Sequence, residues 1–176
     1  DEEEEGLLKT IFKDPAPLAT SLRCTCPLQR LQQRLHHSAQ ETEERYQFIH
    51  KSFMEFLVAR RLFMSEGKLL SSVKRHIQEE PQILLFLHEA WKDPRNTPVK
   101  ENTRLNLLSS VADSAGDSCP PPPTAANAVT ILNWMQVGLA GKQWDGVKIA
   151  GADLSHSVLA GSSLRGADLR NVKFHQ

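Results

Sequence analysis

Three stretches of the chain carry residue types that could do chemistry. Glycines recur between residues 138 and 166, one histidine, His50, separates an alternating apolar stretch from a helical one, and cysteines and histidines cluster between Cys24 and His37. The glycines do not predict a phosphate-binding loop, because neither Gly-x-x-x-x-Gly-Lys-Ser/Thr nor Gly-x-Gly-x-x-Gly occurs in the sequence. The scattered histidines form no Ser-His-Asp or Cys-His grouping, so no catalytic residue is predicted.

The segment from Cys24 to His37 contains residue types that bind zinc. Zinc sites normally use a wider spacing than Cys-x-Cys, and the adjacent His36 and His37 would diverge on a helix. We therefore predict no metal site and expect a helix with an apolar face. That face consists of Leu28, Leu31 and Leu35.

Charge and composition narrow the class of protein. The 21 basic and 21 acidic residues give a formal net charge of zero, so neither nucleic-acid binding nor DNA mimicry is indicated. The odd number of cysteines, three, favours reduced thiols. The acidic run at the start of the sequence does not resemble a secretory signal. No apolar run reaches the length of a membrane span. We expect a cytoplasmic protein with no nucleic-acid and no membrane partner.

The last forty residues keep a period of five. The residue two positions before each central residue is small or aliphatic in seven of eight units, with Lys142 the exception, and the fifth position is glycine five times. A five-residue period fits neither a helix nor a strand, and an irregular loop would not keep an apolar phase for so long. It predicts a coil with five residues per side and glycines at the corners. The central positions are Leu139, Trp144, Ile149, Leu154, Leu159, Leu164, Leu169 and Phe174.

Two of the eight units, ADLSH and ADLRN, match Ala-(Asp/Asn)-Leu-x-x, and the whole stretch resembles pentapeptide repeats. The resemblance implies a right-handed, four-sided β-helix with twenty residues per coil. It implies two coils, 137–156 and 157–176, whose central residues stack twenty apart. Lys142 puts the second side of the first coil in doubt. The predicted fold class is α+β, a helical segment followed by a short right-handed quadrilateral β-helix.

The stretch from Tyr46 to Phe63 predicts a strand, a tight turn and a helix. The alternating residues 46–50 favour a strand, and a Ser-x-x-Glu capping box favours a helix over 53–65. Its FIHKSFMEF sequence resembles the end of the winged-helix region in NACHT-type (STAND) signalling NTPases. That resemblance implies that His50 reaches the nucleotide phosphate in the diphosphate-bound state of an intact parent, with ADP or ATP as the nucleotide. From the residues alone, His50 could equally be hydrogen-bonded for packing at a strand end. No cofactor is expected in this chain itself.

The remaining segments complete the predicted domain organisation. Residues 1–112 should be mostly helical, with helices from 68 to 80, from Pro81 and from Thr97. The run Ile83 to Leu87 should be core, and the last helix should carry an apolar face. That face consists of Leu105, Leu108 and Val111.

Residues 113–124 read as a proline-rich linker and the clearest domain boundary. Residues 125–136 predict a helix that caps the first coil, and residues 137–176 are the repeat. Because the sequence stops inside the repeat, we expect a fragment of a longer chain.

The order of the two motifs suggests a function. It resembles that of large fungal proteins in which WD-type repeats follow NACHT and pentapeptide segments. We expect a non-catalytic scaffold that couples an NTPase module to an interaction solenoid, with the NTPase domain and downstream repeats as intramolecular partners. The alternative is a stand-alone protein-binding module without nucleotide dependence. An enzyme with a cryptic site has no supporting group of residues.

Overall fold

The chain divides into two compact units, Asp1–Glu55 and Phe56–Gln176. In the first unit, strand β1 (Leu28–Leu31) pairs antiparallel with strand β2 (Arg45–Phe48). The structure is a computed structural model that describes residues 28–31, 45–48, 50–116 and 122–175, the first two ranges as backbone only.

The helix predicted around Leu28 and Leu31 is wrong, because both residues belong to β1. Pairing with β2 supplies ladder partners to the backbone, and such long-range pairing overrides a weak local apolar pattern. Leu35 and the cysteines and histidines between residues 24 and 37 lie outside the described residues. The strand predicted over 46–50 is found at Arg45–Phe48, and residue 49 also lies outside the described part.

Four α-helices occur in the described residues. Helices α2 and α3 each begin with a proline in the first turn, where its missing N–H costs no hydrogen bond. The helices are α1 (Lys51–Met64), α2 (Pro81–Lys92), α3 (Thr97–Asp113) and α4 (Thr124–Trp134). Short 3-10 helices occur at Lys68–Ser72, Ile77–Glu79 and Pro94–Asn96.

The amphipathic helix predicted over 68–80 is wrong. Two 3-10 helices take its place, and Val73 between them has an extended backbone. The buried Asn127 of α4 explains the break: its Nδ2 donates to Arg75 O and its Oδ1 accepts from Ile77 N–H, both at 2.8 Å. Because one amide satisfies both backbone groups, this segment does not need a helical hydrogen-bond ladder.

The apolar faces predicted for α2 and α3 agree only in part with the faces that are buried in the structure. On α2, Leu85 is exposed inside the run that was expected to be core, and on α3 Leu105 is exposed. The reason is the helical period, which places residues three and four apart on one face. The buried residues of these two helices are Ile83, Leu84 and Leu87 on α2 and Thr103, Leu107 and Val111 on α3.

Helix α4 lies at the centre of the second unit. Every residue from Thr124 to Leu132 is buried, and the helix contacts α2, α3 and the two 3-10 helices that precede α2. A helix that is buried on all sides belongs to a core. The compact unit therefore continues across residues 113–124, where the sequence suggested a domain boundary, and residues 117–121 of that segment lie outside the described part.

Residues 137–175 form two stacked coils. A turn occurs about every five residues, and three isolated parallel bridges join residues twenty apart. Within the described residues of this region there is no continuous strand, so the twenty-residue register is present without a sheet. The bridges join Gln143 to Ser163, Lys148 to Asp168, and Asp153 to Lys173. The sides are numbered along the chain: first (137–139, 157–159), second (142–144, 162–164), third (147–149, 167–169) and fourth (152–154, 172–174).

The second, third and fourth sides share one hydrogen-bond pattern. On the second side, Trp144 N–H donates to Ser163 O and Ser163 N–H donates to Lys142 O, both at 2.8 Å. Lys142 therefore does not disrupt the second side, as the sequence suggested it would, because its backbone pairs with the second coil in the usual way. It is the first side that has no such pair among the described residues.

On the fourth side, side chains of α4 take the place that a further coil would occupy against the first coil. Thr130 Oγ1 accepts from Asp153 N–H at 2.9 Å. Asn133 Nδ2 donates to Asp153 O at 3.2 Å and to Ser155 O at 2.8 Å. These bonds satisfy backbone groups at the edge of the coil, which would otherwise be unpaired.

The third side is covered in the same way by residues from the helical part. Ser114, just after α3, accepts from Lys148 N–H through its Oγ at 2.9 Å. At the next corner, His76 packs so closely on Gly151 that a Cβ there would lie 2.6 Å from the imidazole Cε1. Gly151 also has φ +75°, so both space and backbone geometry require glycine.

We expect Thr130→Val to destabilise the protein by about 1 kcal/mol more than Thr103→Val, because only the first change leaves a half-buried donor, Asp153 N–H, without its partner. The two threonines are matched: both are buried on a helix, and each hydroxyl donates at 2.8 Å to the carbonyl four residues earlier, Ala126 or Val99. Urea unfolding of both variants measures the difference. Equal losses of stability would show that the bond to the coil contributes nothing.

Candidate functional site

The eight central residues of the repeat differ in burial between the two coils. Those of the first coil are buried, whereas three of the second coil are half-buried and Phe174 is 52% exposed. The difference follows from position, since the first coil lies between the helices and the second coil. The buried set is Leu139, Trp144, Ile149 and Leu154, and the half-buried set is Leu159, Leu164 and Leu169.

The aspartates of the two Ala-Asp-Leu units hold the turns that follow them. Asp153 Oδ1 accepts from Ser155 N–H at 2.9 Å, and Asp168 Oδ1 accepts from Arg170 N–H at 3.3 Å. The Arg170 guanidinium also donates to Asp168, with Nη2 and Oδ2 2.7 Å apart, and this lowers the pKa of Asp168 to about 2. Both aspartates thus stabilise the turns of the repeat.

A third aspartate, Asp145, joins the two coils at their surface. Its Oδ1 accepts from the Ser163 hydroxyl and, at 2.9 Å, from Arg165 N–H. The Ser163 hydroxyl and then the Arg165 N–H lower the pKa of the Asp145 carboxyl. The outward face therefore carries fixed charges of both signs on a hydrogen-bonded backbone.

A groove of about 620 Å³ lies where the chain passes from α4 into the first side of the coils. We name it the first-side groove. Trp134 and Val158 present apolar surface there, at 37% and 67% exposure. His156 and His175 line it as well, with His156 N–H donating to His175 O at 2.7 Å. Sequence reasoning missed this groove, although Val158 is a large apolar residue at an outward position of the repeat.

His50 lies at the N-terminus of α1 and is exposed. Its carbonyl accepts from Phe53 N–H at 3.1 Å, and its Nδ1 accepts from Ser52 N–H at 3.2 Å, so the imidazole caps the helix. The predicted capping box is replaced by this arrangement, because α1 begins at Lys51 and the buried Glu55 pairs with Lys51 Nζ at 3.4 Å. His50 is thus hydrogen-bonded locally, at the start of a helix and exposed rather than packed at a strand end, and its nucleotide role stays a prediction.

The described residues hold no group of three or more histidine, cysteine, aspartate or glutamate side chains that could bind a metal ion. The candidates between residues 24 and 37 lie outside that part of the chain. None of the described helices has both the length and the apolar character needed to cross a membrane.

Comparison with known proteins supports the repeat alone. Residues 145–176 match the family described as Pentapeptide repeats (8 copies). The match begins within the first coil, after its second side, and covers the whole of the second coil. No curated protein and no solved structure matches the chain. Nothing in these comparisons bears on the NACHT, STAND, WD-repeat or fungal part of the resemblance, which stays a prediction.

We expect acid to weaken the contact that Asp145 makes between the coils. Because folding lowers the pKa of this carboxyl, its contribution is complete above the unfolded value, about 3.9, and is lost as pH falls through the folded value. The urea midpoint should therefore drop less between pH 7 and pH 3 in Asp145→Asn than in the wild type. Glu89→Gln, which removes an exposed carboxylate of α2, should keep the wild-type pH dependence. A wild-type pH dependence in Asp145→Asn would contradict this role.

Proposed function

We propose that this chain is a non-catalytic repeat module that binds proteins. The observation that carries the proposal is the pair of coils, in which backbone hydrogen bonds and buried residues hold a framework that presents its outward side chains in fixed positions. Rigid presentation lowers the entropy cost of binding. The half-exposed apolar residues of the second coil add surface that a partner or further repeats could cover.

The chemistry of the outward face favours protein over nucleic acid. Exposed Arg165 and Lys173 are cationic, but Asp145 and Asp168 are interspersed with them. A nucleic-acid surface needs a sustained basic stripe, and a DNA mimic needs a sustained acidic one. We infer protein partners in the cytoplasm. The right-handed β-helix of the pentapeptide family is the architecture we propose for the coils.

We expect Lys173→Glu to weaken partner binding several-fold, because it reverses an exposed charge on the second coil. Lys92→Glu is the matched control, an exposed lysine at the end of α2. Both variants should unfold at the wild-type urea concentration. Recovery of cross-linked partners from cells that make the protein, quantified by mass spectrometry, measures the effect. Equal recovery with both variants would exclude the second coil as the binding surface.

We further propose that the module belongs to a nucleotide-switched NACHT-type parent, with the NTPase domain and downstream repeats as intramolecular partners. The supporting observation is local: a strand, β2, is followed by an exposed histidine at the N-terminus of a helix, where an anion is stabilised. In such a parent His50 would donate through Nε2 to the phosphate of ADP while Nδ1 caps α1. The alternative is a stand-alone binding module without nucleotide dependence.

The nucleotide role predicts a loss of ADP affinity when His50 is replaced in a longer protein that includes a nucleotide-binding region. His50→Ala and His50→Asn should each weaken ADP binding about tenfold or more, since a charge-assisted hydrogen bond is lost. Asparagine can still cap the helix, so it separates the two roles of the histidine. Calorimetric titration with ADP measures both variants. Wild-type affinity in either variant would remove His50 from nucleotide binding, and the chain alone should not turn over ATP.

A further inference from the structure

The first side of the coils lacks the hydrogen bonds that the other three sides make. On those sides, the N–H and C=O of the middle residue of the second coil both bond to the first coil. The corresponding groups of Val158, and the opposing Val137 C=O and Leu139 N–H, have no partner among the described residues. Two donors and two acceptors therefore remain free on one side of an otherwise paired framework.

The cause is the way the chain leaves α4. Gln136 has the left-handed backbone (φ +57°) that ends many helices, and Val137 N–H donates back to Leu132 O at 3.0 Å. This helix-ending bond ties the start of the first side to α4, and the Val137 C=O that follows accepts no bond from the described residues of the second coil. The two coils meet again at the next corner, where Gly141 N–H donates to Ala160 O at 3.0 Å.

The first-side groove lies at this interruption. Its volume of about 620 Å³ is within the range of about 300–1,000 Å³ that is typical of ligand-binding clefts. The indole of Trp134 and the side chain of Val158 give it apolar walls. In the eight units of the repeat, Val158 is the one large apolar residue at the position just before the central residue, where the other units have glycine or polar residues. Together with Trp134 it leaves apolar surface exposed to water beside the free backbone groups.

We propose that the first-side groove binds an extended peptide segment of a partner protein, which pairs with the free backbone groups of Val158 and of the opposing first-coil side while an apolar side chain packs against Trp134. The inference rests on the proposed protein-binding function and assigns it a site and a class of ligand.

An extended peptide fits the chemistry better than other occupants. The free groups are backbone donors and acceptors of the kind that pair on the three neighbouring sides, so an added strand continues an interface that the coils already have. An unpaired edge of this kind attracts a further strand. The neighbouring Trp134 and Val158 supply the side-chain pocket that gives such pairing its specificity.

The test begins with a phage-displayed library of linear random peptides selected on the whole chain. Enriched peptides are synthesised, and their binding is measured by fluorescence anisotropy. Trp134→Ala and Val158→Lys should each weaken binding about tenfold or more. Trp91→Ala is the matched control, because this half-buried tryptophan lies on α2 outside the groove, and it should bind with wild-type affinity. Circular dichroism of each variant checks that it remains folded.

Two further readouts test the backbone pairing itself. Bound peptide should slow hydrogen exchange at the amides of Leu139 and Val158, and backbone N-methylation of the peptide should abolish binding. If the peptides bind Trp134→Ala and Val158→Lys as tightly as the wild type, the first-side groove is not their binding site. A protein-binding surface elsewhere on the chain would still be consistent with that result. Failure to select any peptide would also contradict the proposal that the groove binds a peptide. The proposed protein-binding function is tested separately by Lys173→Glu. Undiminished binding by N-methylated peptides would exclude backbone pairing.

Discussion

The backbone at the outer edge of a coil must find hydrogen-bond partners, and this requirement organises the second unit. A coil in the middle of a stack pairs on both edges, but the first coil has a neighbour on one edge only. Ser114, Thr130 and Asn133 supply the missing partners to Lys148 and to the fourth side. The burial of the first-coil residues and the central position of α4 both follow from this contact. The helices are therefore the structural end of the repeat rather than a separate domain beside it.

Within the coils, short-range chemistry shapes the corners and long-range pairing sets the stacking. Asp153 and Asp168 accept N–H groups two residues ahead and so hold their turns, a local effect that recurs with the Ala-Asp-Leu unit. Bonds between residues about twenty apart then bring the second coil into register with the first. Where the chain passes from α4 into the first side, the backbone pairing between the described residues of the two coils is missing, and a groove remains. The same junction that stabilises the end of the repeat thus produces a distinctive surface.

Among the described residues, the glycines of the repeat and His50 each have a structural role. Five of the six glycines between residues 138 and 166 have positive φ at corners of the coil, and Gly151 in addition makes room for His76. His50 caps α1 through Nδ1, which leaves its other ring nitrogen for a nucleotide contact in a longer protein. The binding function we propose requires no nucleophile and no catalytic base in either region.

The repeat was readable from the sequence because its information is local and periodic. Each unit specifies its own turn, and a period of five with a central apolar residue determines which residues lie twenty apart. The helices that begin at Pro81 and Thr97 were readable for a similar reason, since a proline in the first turn is a local signal. Three features could not be predicted from the sequence: the strand at Leu28–Leu31, the break before Ile77 and the exposure of Leu85. In each case a distant segment or the packed neighbours decided the outcome.

The same distinction separates the two parts of the candidate site. The sequence by itself determined the outward and inward positions of the repeat and placed Val158 among the outward ones. Only the tertiary structure decided that the first side is unpaired and that Trp134 lies beside it, because both depend on where α4 ends and how the chain enters the first coil. The hydrogen bonds between α4 and the coil join residues outside the five-residue period, so the sequence pattern does not contain them and folding alone determines them.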